Sequence, residues 1–103
     1  MDKEFAISVA KKFAEKIKGI ISFKEIILFG SFAKGTNHKD SDIDIALVIG
    51  NIAYDYFDVY KQIIKMGYEI DNRIEPVILR KDKDYSGFLE MIQKEGIVVY
   101  KAA

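Results

Sequence analysis

The chain has 103 residues, half of them hydrophobic and 31% charged, with 16 basic side chains against 16 acidic ones. That length predicts one domain over residues 1–103, and the apolar and aromatic content is too high for a disordered chain. The absence of cysteine excludes a disulfide framework and a thiolate zinc site. No apolar run reaches the roughly 18 residues of a membrane span, so a cytoplasmic protein is expected, and zero net charge predicts no direct nucleic-acid binding.

From Lys3 to Ile20, Phe5, Val9, Phe13 and Ile17 recur every four residues with alanines beside them, which predicts an amphipathic helix. Lys24 to Phe29 is an apolar run of strand length, stopped by Gly30. Gly30-Ser31 then opens a short helical turn, Ser31 to Lys34, closed by Gly35. Asp42 to Ile49 begins with strict alternation and becomes continuously apolar, as a strand inside a covered sheet does. A second amphipathic helix is expected from Ile52 to Met66, with Ala53, Tyr56, Phe57, Tyr60, Ile63 and Ile64 on one stripe. Arg73 to Arg80 reads as a third strand, in which Pro76 demands an edge position or a bulge. Tyr85 to Lys94 reads as a last helix stopped by Gly96, and Ile97 to Tyr100 as a fourth short strand or a packed extension. Strands alternating with helices give an α/β (α+β) fold, one small mixed sheet covered by helices.

Two devices between the first two strands carry chemistry. A glycine directly after a strand lets backbone approach a ligand closely, and exposed N–H groups with a serine hydroxyl suit phosphate. Gly30-Ser31 in a plain turn would look the same. In Asp42-Ile43-Asp44, residues two apart in a strand point to one face, so the two carboxylates project together. They repel unless a cation lies between them, and Mg²⁺ suits such a pair of oxygen ligands. A solvated strand end is the alternative, against which Ile43 and Ile45 pack the opposite face and fix where the pair points. His38 reads as a solvent-exposed loop residue, Thr36 and Lys39 equally as phosphate contacts or a charged loop tip, and Tyr54, Tyr56 and Tyr60 as core and rim.

Gly30-Ser31, ten intervening residues and then Asp42-Ile43-Asp44, in a strand–helix–strand arrangement, resembles the signature of the DNA polymerase beta-like nucleotidyltransferase superfamily. The resemblance is best to its minimal nucleotidyltransferase branch. The run Ser41 to Val48 looks like that family's metal-binding strand, and Phe88 to Tyr100 like the branch's closing helix and tail, so the resemblance covers nearly the whole chain. It implies a polymerase beta-like fold and a third carboxylate on the following strand, matched by Glu75 in Arg73-Ile74-Glu75-Pro76-Val77. The family usually has aspartate there; Asp71 is the competing candidate, in the loop before the strand. Lys34 stands where the family often has arginine, which keeps the charge and loses bidentate phosphate recognition.

The resemblance further implies two Mg²⁺ ions held by Asp42, Asp44 and Glu75, with Gly30, Ser31 and Lys34 on the phosphates of an NTP, ATP by family preference. The expected reaction is transfer of AMP to an acceptor hydroxyl. A chain of this length leaves no room for an acceptor domain, so the acceptor is expected to be a partner. Minimal nucleotidyltransferases are typically paired with a HEPN ribonuclease toxin, which implies an antitoxin that adenylylates a tyrosine of that toxin. The alternative from another class is a non-catalytic NTP-binding antitoxin that neutralises its partner by contact. Oligomerisation stays open at this point.

Overall fold

The computed structural model describes residues 2–50, 56–84 and 86–102. Its elements run α1 (Lys3–Ile17), β1 (Glu25–Phe29), α2 (Ser31–Lys34), β2 (Ile43–Ile49), α3 (Tyr56–Ile70), β3 (Ile74–Arg80), α4 (Phe88–Glu95) and β4 (Ile97–Lys101). The four strands form one mixed sheet in the order β3-β2-β1-β4. β1 is antiparallel to both β2 and β4, whereas β2 and β3 run parallel, joined by α3 as the crossover. The expected fold class, a small mixed sheet covered by helices, is the one found.

Alternation along the strands splits the interior in two. Ile26 and Leu28 of β1 and Ile43, Ile45, Leu47 and Ile49 of β2 face α1 and α3, where Phe13, Ile17 and Ile63 complete the larger core. Ile27, Ala46 and Val48 face the other way, onto Leu89 and Ile92 of α4. β2 is therefore covered on both faces, which is why its sequence turns continuously apolar after Asp44.

Element ends differ from the sequence expectations for local reasons. Asp2 caps α1, its carboxylate accepting from the Phe5 N–H at 2.9 Å. That helix stops at Ile17 rather than Ile20, because Ile20 N–H donates back to the Ile17 carbonyl and the chain turns through Gly19. β2 begins at Ile43, leaving Asp42 just ahead of the strand. α3 continues to Ile70, four residues past the expected stop at Met66. Gly67 does not break it; a Cβ there would stand 3.0 Å from Ile74 and 3.4 Å from Phe13, so this glycine brings the helix close to β3 and α1. The expected start at Ile52, with Ala53 and Tyr54, lies outside the described residues.

α4 begins at Phe88 instead of Tyr85 because the Asp84 carboxylate accepts from the Leu89 and Glu90 N–H groups at 2.9 and 3.0 Å, a cap delivered from outside the helix. The tail from Ile97 is a true strand, β4. Pro76 lies on an edge strand, as its missing N–H requires. Arg73 accepts from Ile43 N–H and Lys81 donates to the Ile49 carbonyl, so odd-numbered β3 residues bond β2 and the Pro76 nitrogen faces the free edge.

Gly96, between α4 and β4, sets how closely the second core can close. A Cβ at this position would lie 2.6 Å from Ile27 Cγ2, 2.7 Å from the Ile92 carbonyl oxygen and 2.9 Å from that of Leu28. Two of those atoms are backbone and cannot swing aside. Gly96→Ala is therefore expected to destabilise the fold by about 1–3 kcal/mol, as overpacking does. In a domain of this size that lowers Tm by roughly 4–8 °C per kcal/mol, and thermal melting checks it.

Candidate active site

Register brings the candidate residues to one end of the sheet. Asp44 is paired Cα to Cα with Glu75 on β3 and with Phe29 on β1. Alternation puts Asp44 on the same face as Ala46 and Val48, and Glu75 on the same face as Leu79, so both carboxyls lie on the α4 side. Gly30 and Ser31 follow Phe29 directly and reach that same end.

Asp44 and Glu75 both respond to the neighbouring Asp42. The Asp44 carboxyl is half-buried, and burial followed by the negative charge of Asp42 raises its pKa. The Glu75 carboxyl lies within hydrogen-bonding reach of Asp42; that bond, the charge on Asp42, burial and the charge on Asp44 all raise its pKa. Asp42 and Glu75 stand exposed at the rim, and Asp44 is the fixed member. Among the described residues no three carboxylates or imidazoles converge into a ready-made cage. Asp42 and Glu75 stand at the surface where their side chains can rotate, whereas strand pairing fixes the backbone register of Asp44 and Glu75. An all-oxygen, anionic donor set gathered at one end of the sheet fits a hard divalent cation such as Mg²⁺.

The loop that delivers Asp42 is pinned by a reciprocal pair missed at the sequence level. The Ser41 hydroxyl accepts from His38 N–H at 2.9 Å, and Ser41 N–H donates to the His38 carbonyl at 3.0 Å. Ser41 is buried. The exposed His38 ring takes a bond from Asp40 N–H at 3.3 Å. Lys34 extends from α2 to Glu95 of α4 at 3.9 Å, both side chains being about half exposed. That bridge was not foreseen, since nothing in the local sequence connects the two positions.

A groove of about 400 Å³ runs from Asp42 and Glu75 between β3 and α3, lined by Tyr60, Ile64 and Tyr68 among others. A larger depression, about 730 Å³, lies on the outer side of α1 between Glu4 and Lys16. It gathers no carboxylate from another element and is remote from the paired strands, so the chemistry belongs to the smaller groove's end.

A family model described as "Polymerase beta, Nucleotidyltransferase" matches residues 10–103. The chain belongs to the polymerase beta nucleotidyltransferase family. It is an enzyme of that class. Among its relatives is the "Putative protein adenylyltransferase MJ0604" of Methanocaldococcus jannaschii, 36% identical over 100 residues, covering 95% of this chain and 93% of that protein. In fold it is similar to a crystal structure described as a "putative nucleotidyltransferase" from Sulfolobus solfataricus, with a TM-score of 0.66 at 21% identity, over 96% of this chain and 83% of that one. It is equally similar to a toxin–antitoxin crystal structure "with AMP-PNP", with a TM-score of 0.66 at 21% identity, over 89% of this chain and 73% of that one. Among the described residues no helix is long and apolar enough to cross a membrane.

Asp71, the competitor for the third carboxylate, is engaged elsewhere. Its Oδ1 accepts from the Arg73 backbone N–H at 3.0 Å and from Nε at 2.9 Å, and its Oδ2 from Nη2 at 2.7 Å. Hydrogen bonds from the Arg73 side chain lead in lowering the Asp71 pKa, against a smaller opposing effect of burial. A depressed folded-state pKa stabilises above the unfolded value, near 3.9, and the stabilisation is lost as pH falls through the folded value. Asp71→Asn should therefore lower Tm by a constant amount from about pH 5 to 8, with the gap to wild type closing towards about pH 2. Transfer activity should stay within a few-fold; thermal melts across pH and a rate assay check both.

Proposed function

We propose that this nucleotidyltransferase moves AMP from ATP to a hydroxyl of a partner protein in a Mg²⁺-dependent reaction, as the antitoxin of a HEPN ribonuclease toxin. The observation that carries the reading is the register that sets Glu75 opposite Asp44, beside Asp42 and next to Gly30-Ser31. The relative named for protein adenylyltransfer supports the protein acceptor, and the toxin–antitoxin with AMP-PNP that shares the fold supports the donor and the partner.

In this reading Asp42, Asp44 and Glu75 are the catalytic carboxylates and would hold two Mg²⁺ ions. The metal, when bound, would lower the pKa of the attacking hydroxyl and offset charge developing on the α-phosphate. Gly30 and Ser31 anchor the β- and γ-phosphates. Lys34 exchanges Glu95 for phosphate, a small loss because the exposed pair at 3.9 Å is weak. The acceptor oxygen forms a bond to the α-phosphorus, the bond from that phosphorus to the β-phosphate oxygen breaks, and pyrophosphate leaves with its charge on those anchors. The hydroxyl proton passes to a carboxylate of the rim or to solvent. ATP as the donor suits a cytoplasmic setting.

The test incubates the protein with ATP labelled at the α-phosphate, Mg²⁺ and the toxin. A substoichiometric amount of wild type should label an excess of toxin, add the mass of AMP to it and leave it inactive after separation. Asp42→Asn with Asp44→Asn should abolish labelling, and Glu75→Gln should reduce it by orders of magnitude. Protection that tracks binding stoichiometry, needs no ATP and survives the double substitution would instead identify a non-catalytic contact antitoxin.

A further inference from the structure

Three described glycines have positive φ: Gly30 at +74°, Gly35 at +76° and Gly87 at +76°. At Gly35 and Gly87 a Cβ would meet nothing within 4 Å, so backbone conformation alone accounts for glycine there. Gly30 differs in what stands beside it. A Cβ built on Gly30 would lie 2.2 Å from Asp44 Oδ2, 3.1 Å from its Cγ and 3.3 Å from its Cβ. No real contact is that short, so the Asp44 carboxylate occupies the space a side chain at position 30 would take. The cause is the sheet itself: Phe29 is paired with Asp44, and the residue after Phe29 necessarily passes over that carboxyl.

We infer that Gly30 is a positioning residue for Asp44: the bare Cα is the seat against which the carboxylate rests, and it sets where that oxygen points. This goes deeper than phosphate contact, the role given to Gly30 above, and it rests on the reading of Asp44 as a metal-holding carboxylate. Asp44 is the half-buried member of the trio and has the least freedom to recover by rotation. A methyl group at position 30 must push it off its position or push β1 away from β2. The backbone at Gly30, φ +74° and ψ −152°, also lies in a region open essentially to glycine. Any test must therefore separate strain from the clash.

A double-substitution cycle does so, because strain at position 30 is the same whatever occupies position 44, whereas the clash needs the carboxylate. In thermal melts Gly30→Ala should lower Tm by roughly 5 °C or more beyond its cost in an Asp44→Ala background. An Asp44→Asn background, which keeps the shape and removes the charge, should show the full cost. If Gly30→Ala alone does not fold, the Gly30→Ala/Asp44→Ala protein should. An equal cost in all backgrounds, or failure of both alanine proteins to fold, overturns the inference.

The second readout is binding of Mn²⁺ with α,β-methylene-ATP, followed by the spectrum of free Mn²⁺. Gly30→Ala should weaken it at least tenfold when Asp44 is present and add no loss when Asp44 is alanine. Additive losses would assign Gly30 to phosphate contact only and overturn the seat, as would unaltered Mn²⁺ binding by Gly30→Ala. If Asp44→Ala itself binds the Mn²⁺ complex as wild type does, the metal reading fails, and the melting cycle still judges the seat on its own.

Discussion

The pairing of Asp44 with Glu75 across two parallel strands is the constraint from which the rest of the structure follows. Strand side chains alternate, so a slip of one residue in β3 would turn Glu75 into the core beneath α1 and α3 and lift Ile74 onto the open face. A carboxylate in that core would be desolvated without a partner, and a buried isoleucine would be lost. The apolar set Ile74, Pro76 and Ile78 thus holds the register, and the register holds the carboxylates. Sheet stability and site geometry are one property here.

Against that frame of apolar pairing the acidic trio is unfavourable by itself. Burial and the charge of Asp42 raise the Asp44 pKa, and hydrogen bonding to Asp42 followed by its charge raises that of Glu75. The fold tolerates this because the trio sits at the strand ends, where Asp42 and Glu75 keep contact with solvent and only Asp44 is half-buried. Local devices then restrain each segment that supplies the site. Ser41 and His38 lock the loop ahead of Asp42. Asp71 and Arg73 close the turn from α3 into β3 just before Glu75. Gly30 lets β1 turn away over Asp44.

The second core has a similar economy. On the site-bearing face α4 packs through Leu89 and Ile92, and Phe29 meets Phe88 edge to face with ring centroids 6.0 Å apart. Phe29 is also the residue paired with Asp44, so the helix that closes the second core packs directly beside the carboxylate end of the sheet. The Lys34–Glu95 bridge spans the same gap between α2 and α4. Changes in α4 packing therefore reach the site through one aromatic contact and one weak ion pair.

Much of this was legible in the residues themselves. Period-two alternation in Asp42 to Ile45 and the apolar run after it marked a covered strand with acidic groups at its start, although Asp42 lies just ahead of β2, and Pro76 narrowed its strand to an edge position or a bulge. The family likeness of Gly30-Ser31 and Asp42-Ile43-Asp44 depended on spacing alone. Other features needed the folded chain. The second helix was expected to end at Met66, and α3 runs on through Gly67, which brings it close to Phe13 and Ile74. Glu75 was matched to the third carboxylate with Asp71 as its competitor in the preceding loop, and the folded chain adds that Arg73 bonds Asp71 while the parallel register pairs Glu75 with Asp44. Lys34 meets Glu95 sixty-odd positions away, and Gly30 meets a carboxylate delivered by the neighbouring strand. Local periodicity is written in the order of residues; which carboxylate faces which is decided by strand register, a contact between segments far apart in the chain.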